Sequence, residues 1–336
     1  MNPLLYPSRR DFLNRVGTGF GALALASLFA DEAKAQSAGG LLAPKQPHYP
    51  GTAKRVCHIY FSGAQSQVDT WDPKPELGKS EGKSAAGKGR LLPSPFSFSK
   101  SGKSGLEISE IWPELRKCVD DMCIIRSCWT GVPAHEEATK IMTCGDFRLP
   151  KPSIGSWVTY GLGSDNQNLP AFIAMNPGGF PTAGNSNWQS AFMPGAFQGT
   201  YVDPTNTRIE QIIENIKSQF IGSSAEQRQQ LDLLNKINEI HKQKRQSDGQ
   251  LDARIQSFEL AYRMQTDATE AFELAKEPDH ILKLYGADST DRNIATQARQ
   301  FIIARRLLER GVKFVQCWNG GWDMHNGIAT AARTRA

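Results

Sequence analysis

Residues 291–327 read DRNIATQARQ FIIARRLLER GVKFVQCWNG GWDMHNG, and this stretch decides the fold. Asp291–Arg310 places Ile294, Ala298, Phe301, Ile302 and Leu307 at helical spacing, which predicts a helix burying those five side chains. Gly311 stands where a left-handed residue closes such a helix. Val312–Trp318 is a short apolar run, as a strand covered on both faces requires. Asn319-Gly320-Gly321-Trp322-Asp323-Met324-His325-Asn326-Gly327 follows as a polar, glycine-rich loop. Helix, glycine, strand and polar loop in that order are the grammar of an α/β protein.

Working outward, Arg55–Phe61 and Leu169–Met175 are strand-like, and Met122–Trp129 is predicted as a further strand. Helices are expected from Ser109 to about Val119, from His135 to about Gly145, and over Pro152–Gly161 with Ser153 as N-cap. From Thr207 the pattern turns helical. Ile209, Ile212, Ile213 and Ile216 share one face. Ser224-Ala225-Glu226-Gln227 opens a second helix, with Leu231, Leu234, Ile237 and Ile240 along its apolar side. Asp252–Ala275 is a third, carrying Ile255, Phe258, Tyr262 and Phe272. The expected architecture is a doubly wound, mostly parallel sheet flanked by helices, with a helical insertion around 207–280.

Glu76–Gly105 is rich in Gly, Ser and Lys. It reads either as a solvated excursion with a hairpin near Leu91–Phe98, or as a basic flap over an anionic ligand. With 39% hydrophobic and 22% charged residues, the 336-residue chain has ordinary globular composition. A net charge of +5 leaves no basic footprint for nucleic acid. Six cysteines without a C-x-x-C pair exclude a disulfide scaffold and a thiolate metal cluster.

Residues 1–35 read as an export signal. Ser8-Arg9-Arg10-Asp11-Phe12-Leu13 is a twin-arginine signature, Val16–Ala30 is the apolar segment, and Ala33-Lys34-Ala35 is a cleavage site. The expectation is a mature domain over 36–336, exported through the twin-arginine translocon to the periplasm or beyond, with no stable membrane span.

The chemistry gathers at predicted strand ends. Arg55–Phe61 leads to Ser62, Ser66, Asp69 and Asp72. Met122–Trp129 contains Ser127 and leads to His135. Val312–Trp318 leads to Asn319, Asp323 and His325. Ligands of open α/β sheets bind outside the carboxyl ends of the strands, so Asp69, His135, Asp323 and His325 are expected to share one site. In an extended segment Asp323 and His325 point the same way. Mixed Asp and His donors suit zinc, manganese or a similar divalent ion. The competing readings are ordinary ones: Asp69 and Asp72 as turn residues before Pro73, His135 as a solvated helix start, His58 as a core residue with its bonds satisfied. There is no Walker loop, no nucleophile elbow, no dinucleotide fingerprint and no haem attachment site.

The leader, Phe61-Ser62-Gly63-Ala64-Gln65-Ser66-Gln67-Val68-Asp69-Thr70-Trp71-Asp72-Pro73-Lys74-Pro75, Ser104–Ser109, Ile125-Arg126-Ser127 with His135, and Gly321-Trp322-Asp323-Met324-His325 together resemble the DUF1501 proteins. These are exported bacterial proteins related to the alkaline phosphatase/sulfatase superfamily. The resemblance implies a doubly wound core and a divalent metal site. It also implies hydrolysis of phosphate or sulfate esters, that is, an anionic ester substrate. It places Asp69, Asp323 and His325 among the metal ligands and offers Ser66 or Ser127 as nucleophile. No C-x-P-x-R or S-x-P-x-R sequence is present, so a formylglycine mechanism is not implied. Members of the family continue past Gly-Trp-Asp-x-His to a Gly-Arg-Asp-His-His-like segment, which implies that this chain is truncated. Two other functions fit the residues: a non-catalytic exported binding or assembly protein, and a carbohydrate-acting protein with Trp71, Trp188 and Trp322 as sugar platforms.

Overall fold

The structure, a computed structural model, describes residues 40–85, 89–206, 212, 223–244, 262 and 269–336. The leader and most of the helices expected at 207–216 and 252–275 lie outside the described residues. The strands are β1 (Val56–Phe61), β2 (Phe98–Ser101), β3 (Leu106–Ser109), β4 (Phe172–Met175), β5 (Thr200–Val202) and β6 (Phe314–Asn319). The helices are α1 (Gln67–Thr70), α2 (Pro75–Lys79), α3 (His135–Cys144), α4 (Ile154–Leu162), α5 (Ser224–Lys244), α6 (Thr269–Phe272), α7 (Asp279–Tyr285), α8 (Arg292–Glu309) and α9 (Ile328–Arg335).

Four strands form a parallel sheet in the order β1-β6-β4-β5. β6 is interior, with β1 on one side and β4 on the other, which explains why Phe314 to Trp318 are all buried. The chain is thus an α/β fold with a four-strand parallel sheet flanked by helices. α8 covers one face. Its Ile303, Ala304 and Leu307 pack against Ile173, Val315 and Cys317. Burying each of the larger side chains contributes about 1.5–3 kcal/mol. On the other face Phe172, Phe314, Trp318 and Trp188 form a second core, with Val158 of α4 packed on it.

The α8–β6 junction follows the sequence reading. Asp291 caps α8 by accepting from the Asn293 and Ile294 N–H groups. Gly311 adopts φ +94°, and Val312 N–H returns to Leu307 O at 3.1 Å. Ser153 caps α4 as expected, accepting from Ser156 N–H. In the last turn of α8, Arg306 donates to Ala271 O at 3.0 Å and pairs with Glu277. Burial alone would raise the Glu277 carboxyl; hydrogen bonds from Arg305 and Arg306 outweigh it and hold the group below the ordinary carboxylate range.

Several expectations are corrected. Met122–Trp129 is not a strand; it runs irregularly at the surface, with Trp129 88% exposed. Arg126 ties it down by donating to Trp71 O and Glu107 O, and Met122 packs on the core beside Trp112 and Trp322, so side chains rather than a ladder hold it. The hairpin is β2–β3, later than Leu91–Phe98, and turns through Gly102 and Gly105, both at positive φ. The short helix expected from Ser109 begins later, at Leu115, and is a 3₁₀ helix over Leu115–Asp121. Ile294 is exposed, not buried, and on α5 Leu234 and Ile237 are also exposed. His58 is only half-buried, and its Nδ1 has no partner among the described residues; burial holds its imidazole below the ordinary range. Trp188 and Trp322 are buried in cores, so these two rings are not sugar platforms, and Trp71 is half-buried and stacks on Trp112. Among the described residues no helix is long and apolar enough to cross a membrane.

Candidate functional site

The register of β1 on β6 sets Phe61 beside Asn319, so the loops leaving both strands start side by side. They are stitched together at once: Ser62 N–H donates to Asn319 O at 2.8 Å, and Trp322 N–H to Ser62 O at 3.1 Å. Contact is close enough to require glycine at 63. Its φ is +97°, and a Cβ there would lie 2.4 Å from Asp323 N. Ala64 follows at φ +64°, a left-handed conformation that costs a non-glycine residue energy and tends to occur at functional sites.

Trp322 anchors the second loop from inside. It is 3% exposed, meets Phe61 edge-on at 5.3 Å, lies 5.5 Å from Trp112, and donates Nε1–H to Asn319 Oδ1 at 2.7 Å. With Trp322 turned inward, Asp323 and His325 face outward. Asp323 Oδ1 lies 2.8 Å from His325 Nε2, which is the same-side arrangement expected for residues two apart.

The third member comes from α3. His135 is its first residue, and the helix is docked on the sheet by Tyr60, whose hydroxyl donates to Thr139 Oγ1 at 3.2 Å. At its far end Thr143 donates to Asn187 Oδ1 at 3.3 Å. Held this way, His135 Nε2 lies 3.2 Å from Asp323 Oδ2. One carboxylate therefore stands between two imidazoles, each on its own oxygen. All three side chains remain about half or more exposed, accessible to a solute.

The remaining sequence candidates take other places. Asp69 is buried on α1, and among the described residues no ion pair joins it to either imidazole. Ser66 begins α1 and its side chain makes no capping bond; its carbonyl accepts from the Thr70 hydroxyl. Ser127 lies in an exposed turn. Asp72 is ion-paired with Lys74 and faces Arg126. Among the described residues no group of three His, Cys, Asp or Glu side chains is arranged as a ready metal centre. Gly63 was missed as a site residue; the signal for it was a glycine directly after a strand.

Comparison with known families agrees with the motifs. A family profile described as "Protein of unknown function (DUF1501)" matches residues 53–336, and the chain belongs to that family. Neither a curated protein nor a solved structure matches the chain.

Proposed function

We propose that the chain is a hydrolase of phosphate or sulfate esters, with His135, Asp323 and His325 as its working groups and a divalent ion, zinc or manganese, as cofactor. The observation that carries this reading is the meeting of these three side chains at the carboxyl edge of a parallel sheet. The donor set fits such an ion: two imidazoles and one carboxylate are ligand types both metals accept. The nitrogen–oxygen separations of 2.8 and 3.2 Å lie near the edge of roughly 3.3 Å between ligands of a tetrahedral zinc bonded at ~2.0 Å. Asp323 with one imidazole would hold the ion. When bound, it supplies polarisation of the ester oxygen and an activated water. The chain's own residues do the rest. Asp323 fixes the ring orientation of the second imidazole through its Nε2, and that imidazole takes up or delivers the proton at Nδ1, the nitrogen turned away from the carboxylate. Of the two serine candidates, Ser66 follows the loop that is stitched to the Asp323 loop.

Assignment of the core to the alkaline phosphatase/sulfatase-like class belongs to the same proposal, as does export through the twin-arginine route, which the Ser8–Leu13 and Ala33-Lys34-Ala35 motifs support. The test is turnover of an aryl phosphate and an aryl sulfate by the chain from Gln36 onward, with added zinc or manganese and with chelator. His325→Ala and His135→Ala should each lower turnover about 100-fold or more, in line with loss of a positioned acid–base group. Equal turnover by wild type and both variants would overturn the reading. One observation favours a non-catalytic exported binding or assembly protein instead: no described group forms a ready metal centre. On that reading neither ester is turned over with any added ion.

A further inference from the structure

Beside the end of β6, between α7, α8 and α9, lies a cavity of about 380 Å³. We infer that it is a carbohydrate-binding site that takes a neutral sugar ring. The volume falls within the range of small-molecule sites and exceeds what a single hexose needs.

The first observation is a broken pattern. Ile294 occupies a helical position that periodicity assigns to the core, yet it is 46% exposed. It is exposed because it forms the wall of this cavity, together with Phe301 of the same helix and Tyr285 at the end of α7. Two rings and an aliphatic side chain offer an apolar surface against which the C–H face of a pyranose stacks.

The second observation is the polar rim. Asn293, Gln297 and Asn319 line it, neutral amides from two elements. Two of them are oriented by internal bonds. Asn319 Oδ1 accepts from Trp322 Nε1 at 2.7 Å, and Gln297 Oε1 accepts from Gln300 Nε2 at 3.2 Å. With their oxygens engaged, both amides have NH₂ groups left to donate to ligand hydroxyl oxygens. Fixed donors above an apolar wall suit a ligand with many hydroxyls and one apolar face.

The charges select against an anion. Arg335 reaches the cavity, with its guanidinium packed over Gly321, but Asp291 lines it as well. Asp291 offsets the Arg335 guanidinium, and Thr334 and Ala336, which also line the cavity, add no cation, so no excess positive charge is left for a phosphate or carboxylate. The cavity shares the Asn319–His325 loop with the imidazole–carboxylate cluster but uses different side chains, so this inference does not rest on the hydrolytic reading.

Calorimetric titration of chelator-treated full-length protein with glucose, galactose, mannose and N-acetylglucosamine tests it. Chelator treatment separates the outcome from any metal or catalytic requirement. Saturable one-to-one binding of at least one of these sugars is expected. Gln297→Ala should weaken it about three- to tenfold, the value of one hydrogen bond. Ile294→Trp, which fills the cavity from an exposed position, should abolish binding while leaving the thermal midpoint near wild type. Absence of heat with all four sugars, or equal binding by the Ile294→Trp protein, would overturn the proposal.

Discussion

Alanine at Gly63 should damage the site more than alanine at any other glycine of the two joined loops. The residue sits at φ +97°, away from the left-handed region that side chains tolerate best, and such strain costs of order 1–3 kcal/mol. The new Cβ would lie 2.4 Å from Asp323 N, 3.0 Å from Asp323 Cβ and 3.1 Å from Trp322 C. The closest of these is about 1 Å short of ordinary van der Waals contact. The atoms it meets are mostly backbone, and Trp322 is pinned in its aromatic core, so the strain falls on Asp323. Together these effects should destabilise the chain by about 2–4 kcal/mol and lower the thermal midpoint by roughly 3–6 °C. An ångström of displacement at a reacting group costs on the order of 100-fold in rate. Two neighbours act as controls. Gly320 has nothing within 4 Å of its would-be Cβ, so Gly320→Ala should be near neutral. Gly321 is at φ +87°, but the three atoms nearest its would-be Cβ all belong to the Arg335 guanidinium, which can move, so Gly321→Ala should fall between. Thermal unfolding followed by circular dichroism, with aryl-ester turnover on the same samples, reads the series. If Gly63→Ala matches Gly320→Ala, or Gly321→Ala proves worst, the reasoning is wrong.

Two further outcomes follow from buried polar groups. Gln316 is fully buried in the middle of β6, and among the described residues neither its oxygen nor its nitrogen has a partner. Gln316→Met should therefore stabilise the chain by about 1–3 kcal/mol in urea unfolding; destabilisation would mean that the carboxamide is hydrogen-bonded after all. Glu277, with its side chain 7% exposed, is held below its usual range by Arg305 and Arg306. A depressed carboxyl stabilises the fold above its unfolded value and loses that contribution as pH falls through the folded one. Glu277→Gln should cost about 3 kcal/mol at neutral pH by leaving Arg306 unpaired. The gap to wild type should shrink below about pH 4.5, the unperturbed carboxyl value. A gap that stays constant into acid would contradict the ion-pair account.

How much could be read in advance depends on whether the signal is local. The α8–β6 unit is legible because periodicity, the terminal glycine and the buried run all lie within thirty or so neighbouring residues. The pairing of Asp323 with His325 is legible for the same reason. The arrival of His135 at the same carboxylate depends on topology: α3 must dock on Tyr60 of β1, and β1 must lie beside β6. Met122–Trp129 has the composition of a strand but finds no strand to pair with, and propensity without a partner does not make a ladder. Trp188 and Trp322 were ambiguous because indole suits both a core and a binding surface; only packing distinguishes them. Ile294 looked like core because its spacing says which way a residue faces on the helix, not what stands opposite.

The proposed function requires Asp323, with one of the imidazoles beside it, to hold a divalent ion. Elemental analysis of the chain, purified without chelator and dialysed against zinc or manganese, tests it most directly. One tightly held ion per chain in wild type, lost in Asp323→Ala at unchanged circular dichroism, is the predicted result. Wild-type protein without stoichiometric metal, or an Asp323→Ala protein that retains it, would contradict the account.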